Sequence, residues 1–254
     1  MEFFWSFPVL LFGSCIGSFA NVLIDRLPKG QTILWGRSHC DRCKKTLRWF
    51  ELIPIVSYVS QGGRCLRCKR QLSLQYPLIE MVTGMVAFYL FFHYQTSLPL
   101  GIGYFIFAVS LLVIFVSDSK YKIIPDAMVI TAAIGAAIII FFEERFATPV
   151  PTLLSGLGSF TVFILIWSIT KGRGMGFGDV KLSPILGFAL GFPRIVVALY
   201  LAFLTGAMVG VILVLRERKS LKAQIPFGPF LVLGTYISIV WGQQLFDQWM
   251  RYLQ

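Results

Sequence analysis

Leu98 to Asp118 reads LPLGIGYFIFAVSLLVIFVSD, twenty residues without a charge closed by an acid. Roughly 20 apolar residues in helical form cross a hydrocarbon core about 30 Å thick. The stretch therefore reads as a membrane span that ends on a carboxylate. Working outward, the same test marks spans at 3–24, 78–96, 98–117, 123–142, 152–170, 182–193, 195–215 and 226–246. The sixth is too short to cross as a straight helix, and Pro184, Gly187 and Gly191 break it further. It is expected as a half-helix or as part of a tilted span, giving eight spans, or seven if it does not cross. Composition agrees: 56% of the 254 residues are hydrophobic and only 14% are charged, with a mean hydropathy of +0.74. A soluble domain of this length needs more charge on its surface.

Lys and Arg placement sets the orientation. With the N-terminus outside, the inner loops fall near 26–76, 118–122, 171–181 and 216–222 and hold 11, 2, 3 and 4 Lys/Arg, which is 20 of the 23. Both termini are then outside. This explains the net charge of +11 without nucleic acid as a partner; anionic lipid headgroups are the simpler counterpart of the basic loop. No basic segment precedes the first span, only Glu2, so it reads as a retained anchor. The expected organisation is a first transmembrane helix at 1–25, a water-facing loop domain at 26–76 and a membrane domain at 77–254.

The loop carries Cys40-Asp-Arg-Cys43 and Cys65-Leu-Arg-Cys68, separated by 21 residues. Two such knuckles can bring four thiolates to one tetrahedral ion, the pattern of a closed structural zinc site. Arg42, Lys44, Lys45, Arg64, Arg67 and Lys69 surround them and favour thiolates. A pair of disulfides is the alternative that a reducing cytoplasm disfavours; unligated or redox-active thiols are another. His39 is an alternative ligand or simply exposed. Cys15, among Gly13, Ser14, Gly17 and Ser18, reads as a small residue for helix packing.

Few of the 12 acids stand where chemistry is plausible. Asp118 ends the third span, and Asp179 follows Gly174, Gly176 and Gly178 just before the sixth. Both fall on the same side of the membrane. Two carboxylates that share one proton are the machinery of aspartic proteolysis. Gly176 and Gly178 clear side chains from the approach to Asp179. The bland alternative pairs each acid with Lys120 or Lys181 as an interfacial ion pair, since an acid at the interface costs far less than one at mid-membrane. Asp126, after Pro125, is expected to favour a helix start before any catalytic role. Asp25 beside Arg26 reads as a solvated helix end, and Glu143 and Glu144 as an outer turn beside Arg145.

Gly13-Ser-Cys-Ile-Gly17-Ser-Phe-Ala-Asn21-Val-Leu-Ile-Asp-Arg-Leu-Pro28 resembles the opening of the bacterial type IV prepilin peptidases. So do the paired knuckles, Ser73-Leu-Gln-Tyr-Pro77-Leu-Ile-Glu80, the Asp118 segment ending in Ile-Pro-Asp126, and Gly176-Phe-Gly178-Asp179. Gly-x-Gly-Asp is common by itself; the ordered set is specific. The resemblance implies an all-α polytopic protein of the bacterial inner membrane with about eight transmembrane helices and a small zinc-binding cytoplasmic domain. It implies an aspartic peptidase that cleaves the leaders of prepilins or pseudopilins after a glycine, with Asp118 and Asp179 as the dyad. Gly176, Gly178 and Lys181 would bind substrate or shape the site. It also implies methylation of the new N-terminus from S-adenosylmethionine, with structural zinc on Cys40, Cys43, Cys65 and Cys68. Asn21, Glu80 and Lys181 fall in family-like motifs without a readable role. Two rival classes are a proton- or ion-coupled transporter and a zinc-knuckle membrane adaptor without chemistry.

Overall fold

The computed structural model describes residues 2–33, 36, 38–40, 42–143, 145, 149–217 and 226–253. Its elements are α1 (Glu2–Arg26), α2 (Val56–Ser60), α3 (Gln75–His93), α4 (Leu98–Tyr121), α5 (Asp126–Phe142), α6 (Pro149–Thr170), α7 (Phe177–Leu190), α8 (Arg194–Glu217) and α9 (Gly228–Leu253). Among the described residues there is no strand, only two isolated bridges in the cysteine loop. Each expected span has a helix. α1, α3, α4, α6 and α8 are long and apolar enough to cross a membrane. α5 is apolar but has 17 residues, and α9 carries Gln243, Gln244, Asp247, Gln248 and Arg251 in its second half. The expected inner loop at 216–222 lies, beyond Glu217, outside the described residues, as does Glu144.

Two compact units divide the chain, residues 1–109 and 110–254, with the boundary inside α4. In the first, α1 packs against α3 through small residues. A methyl group at Gly13 would stand 2.5 Å from Ala87 Cβ and 2.8 Å from the Thr83 carbonyl; one at Gly17 would strike the Thr83 hydroxyl. Close backbone approach between small residues is how helices associate where lipid supplies no hydrophobic drive. Cys15 is not part of this seam. It is exposed, because at about 100° per residue it points away from the face that Gly13 and Gly17 share.

Polar residues tie the same two helices together and fasten the loop to them. Asn21 Nδ2 donates to the Tyr76 carbonyl (3.1 Å), and the Tyr76 hydroxyl donates to Asp25 (3.0 Å). Asp25 is thus a bonded acceptor rather than a solvated end. Glu80, buried on α3, accepts the Ile55 N–H at 2.7 Å. Ile55 has φ 60° and ψ −52°, and the Val56 N–H reaches back to the Pro54 carbonyl at 2.5 Å. This three-residue turn is a strained one, especially for a β-branched residue, and the Glu80 carboxylate fastens it. The motif residues Asn21 and Glu80 therefore hold scaffold in place.

In the second unit the short α7 touches α5, α6, α8 and α9. It buries Val180, Leu182, Ser183, Leu186, Gly187 and Leu190, as expected of a helix enclosed by others. Ser159 of α6 donates to the Ser183 carbonyl at 2.9 Å, and Arg145 donates to Ala189 at the C-terminal end of α7 at 3.1 Å. With 14 residues, α7 is about 21 Å long, short of the hydrocarbon thickness, as its sequence indicates. It begins earlier than expected, at Phe177, so Asp179 lies inside its first turn instead of before it.

Gly17→Leu should lower thermal stability in detergent, by about 1–3 kcal/mol for forced overpacking. Gly158→Leu on α6, where a new methyl meets nothing within 4 Å, should leave the melting temperature unchanged.

Candidate functional site

α4 stops just beyond Asp118 for local reasons. Lys122 takes a left-handed φ of 56°, its N–H bonding back to the Asp118 carbonyl at 2.9 Å, and Pro125 cannot extend a helix. Asp118 is thereby held in the last turn, 6% exposed. Its Oδ2 accepts the backbone N–H of Gly228, the first residue of α9, at 3.0 Å.

Asp179 is the third residue of α7, behind Gly176 in extended conformation. The Gly176 N–H bonds back to its carboxylate, half of a capping box. The side chain is 4% exposed, and Oδ1 has no hydrogen-bond partner within the protein. Gly178 brings this turn against the chain after α4: a methyl there would stand 3.0 Å from Ile124 Cβ. At Gly176 a methyl would lie 3.5 Å from Asp179 Oδ2, in contact with the carboxylate. Asp118 lies close enough for its charge to act on Asp179. The structure thus brings together the two acids that sequence selected.

Lys181 does not neutralise either of them. It bonds Asp126 at 2.9 Å and lies 5.4 Å from the Phe177 ring centre. Asp126 does open α5, yet its carboxylate turns to Lys181 instead of capping free N–H groups. The pair is exposed, 41% and 70%, and such pairs add little stability. Lys120 Nζ sits 5.1 Å from the Tyr121 ring. The contact that sequence reasoning missed is Gly228. A glycine before Pro229 signals a helix start, but nothing in residue type says that its N–H meets a carboxylate 110 positions away.

The second cluster lies in the cysteine loop. Cys40 and Cys65 each open a turn of the same shape. The N–H groups of Lys44 and Lys69 bond back to the Cys40 and Cys65 carbonyls at 2.8 and 2.9 Å, and both lysines have φ 56°. His39 bridges to Thr46 and Arg64 to Gln71, closing each knuckle, so His39 stays out of the cluster. The Sγ atoms of Cys40, Cys43, Cys65 and Cys68 all lie within 4.8 Å of one another, with Cys40 to Cys68 at 3.7 Å. Tetrahedral zinc–sulfur bonds of about 2.3 Å place sulfurs about 3.8 Å apart, so the donor set fits zinc. No disulfide joins these cysteines. The Cys65 thiol is drawn down to about 7, chiefly by the backbone N–H groups of Cys68 and Arg67. It is therefore largely thiolate, the ligating form, above neutral pH.

Residues 11–94 match the bacterial Peptidase A24 N-terminal domain, and 105–211 the type IV leader peptidase family. The prepilin leader peptidase/N-methyltransferase of Bacillus subtilis is 30% identical over 252 residues, covering 96% of this chain and 97% of that protein. The chain belongs to the type IV leader peptidase family. Its relative of the same name in Pseudomonas aeruginosa is 29% identical over 96% of this chain and 92% of that protein. That of Legionella pneumophila is 27% identical over 95% and 93%. No solved structure matches the chain.

Protein purified without chelator should contain about one zinc per chain, with X-ray absorption showing only sulfur neighbours at about 2.3 Å. Zinc affinity should fall as pH is lowered, since protons compete for the four thiolates.

Proposed function

We propose that this chain is a prepilin leader peptidase and N-methyltransferase of the bacterial inner membrane. Asp118 and Asp179 would form its peptidase dyad, acting on prepilins or pseudopilins at the cytoplasmic face. The observation that carries the reading is the pair of buried carboxylates in the last turn of α4 and the first turn of α7, with Asp118 near enough for its charge to act on Asp179. Their place in the ordered set of family-like motifs supports it. A transporter would need its acids along a path through the membrane, whereas these stand in terminal turns, and an adaptor without chemistry leaves Gly176-Phe-Gly178-Asp179 unexplained.

In the proposed reaction one carboxylate takes a proton from water as the water oxygen bonds to the scissile carbonyl carbon. The other carboxyl gives its proton to the carbonyl oxygen. On collapse of the tetrahedral intermediate one hydroxyl returns its proton to the second carboxylate, the C–N bond breaks, and the leaving nitrogen takes up the proton first removed from water. Gly176 and Gly178 keep the approach to Asp179 bare. Lys181, tied to Asp126, would shape the rim.

The topology completes the proposal: eight helices cross, with both termini outside and the 26–76 loop and the dyad at the cytoplasmic face. Zinc on Cys40, Cys43, Cys65 and Cys68 would hold the loop's shape, because a closed four-thiolate site has no open position for a catalytic water. Methyl transfer from S-adenosylmethionine rests on family membership. A strand–Gly-rich loop–helix unit for a nucleotide does not fit the described residues, which contain no strand, and no residue is assigned to that cofactor.

Asp118→Asn and Asp179→Asn should each reduce leader cleavage by at least ~10²–10⁴-fold while leaving the detergent-solubilised protein folded, read by product mass with a purified prepilin. Cys40→Ser and Cys65→Ser should disturb the loop first. Product mass should then show cleaved but poorly methylated pilin; complete loss of cleavage in folded cysteine variants would count against a purely structural metal.

A further inference from the structure

Of the two acids, Asp118 is the one fixed from outside its own helix. α9 begins Phe227-Gly228-Pro229. Pro229 has no N–H, and those of Phe230 and Leu231 bond to the Phe227 carbonyl at 3.0 and 3.2 Å. The Gly228 N–H is therefore left over from this helix start, and it goes to Asp118 Oδ2. Its position is clamped. The Phe227 ring stands 5.1 Å from that of Phe203 on α8 and 6.1 Å from that of Phe163 on α6, and Phe163 is wholly buried. No other residue type fits at 228 undisturbed, because a methyl would fall 2.6 Å from Asp118 Oδ2 and 3.2 Å from its Cγ. Residue 228 lies beyond the stretches that match the family domains, 11–94 and 105–211.

We propose that Gly228 is a positioning residue that divides labour within the dyad: its N–H holds Asp118 as the ionised base, leaving Asp179 as the acid. This rests on the peptidase reading. A donor aimed at a carboxylate favours its charged form. Oδ2 of Asp118 accepts the N–H, which leaves Oδ1 to take the proton. Asp179 Oδ1, buried and without a protein partner, is placed to carry the proton. Asp118 thus takes a proton from water while the oxygen adds to the carbonyl carbon, and Asp179 protonates the carbonyl oxygen. On collapse, an intermediate hydroxyl returns its proton to Asp179, the C–N bond breaks, and Asp118 delivers its proton to the leaving nitrogen. Both acids end as they began.

The experiment compares full-length Gly228→Ala, Phe227→Leu and Asp118→Asn with the parent chain in detergent, on one purified prepilin. Gly228→Ala keeps the N–H but pushes Asp118 off it with the new methyl; kcat should fall by about 10²-fold, comparable to losing one preorganised donor, with KM within about twofold and the melting temperature retained. Phe227→Leu loosens the clamp without adding a methyl and should lower kcat about tenfold, again at constant KM; it carries the test if Gly228→Ala fails to fold. Parent-like kcat in both folded variants, with Asp118→Asn inactive, overturns the role of Gly228 and leaves the dyad standing. A rise in KM that accounts for the whole loss also overturns it, since that marks a substrate-groove residue. Full cleavage by Asp118→Asn instead overturns the peptidase reading itself.

Discussion

A carboxylate withdrawn from water needs hydrogen-bond donors, and inside a bundle of apolar helices the free donors are at helix starts. The second unit is arranged around that need. Asp179 folds back onto the N–H of Gly176, just before α7, and Asp118 takes the leftover N–H of α9. One acid is held locally and the other across the unit. The difference in how they are held is also the difference in what each is free to do.

The enclosure of α7 serves the same requirement, because bulk water would satisfy the acid and dilute its interaction with a second one. At 14 residues, α7 is enclosed by four other helices, and its far end is closed by the Arg145 guanidinium on the Ala189 carbonyl. The ion pair of Lys181 with Asp126 keeps the nearest cation on α7 away from Asp179.

Apolar length alone located every long helix, though not the short α2 of the loop, and the knuckle spacing alone selected the four thiols, because both signals are carried by residue type. What stayed illegible was carried by the backbone. The partner of Asp118 is an N–H group, the anchor of Ile55 is Glu80 acting on another N–H, and any residue but proline owns such a donor. Direction was the second gap. Gly13, Cys15 and Gly17 share a small-residue run, and only helix phase tells which of them face α3. Asp126 illustrates a third: a capping position was readable, but a lysine 55 residues onward competed for the same carboxylate and won.

The seam between α1 and α3 also bears on how the family can vary. Because Gly13 and Gly17 lock against Thr83, Gly84 and Ala87, the segment between the two helices leaves from and returns to one place. Closing a longer excursion between fixed ends costs little, about 0.6 kcal/mol for each doubling of length. Sequence between the knuckles can therefore be gained or shed in descent without moving the helices. The insertions and deletions that evolution tolerates in this fold should gather there, while the glycine seam stays constant.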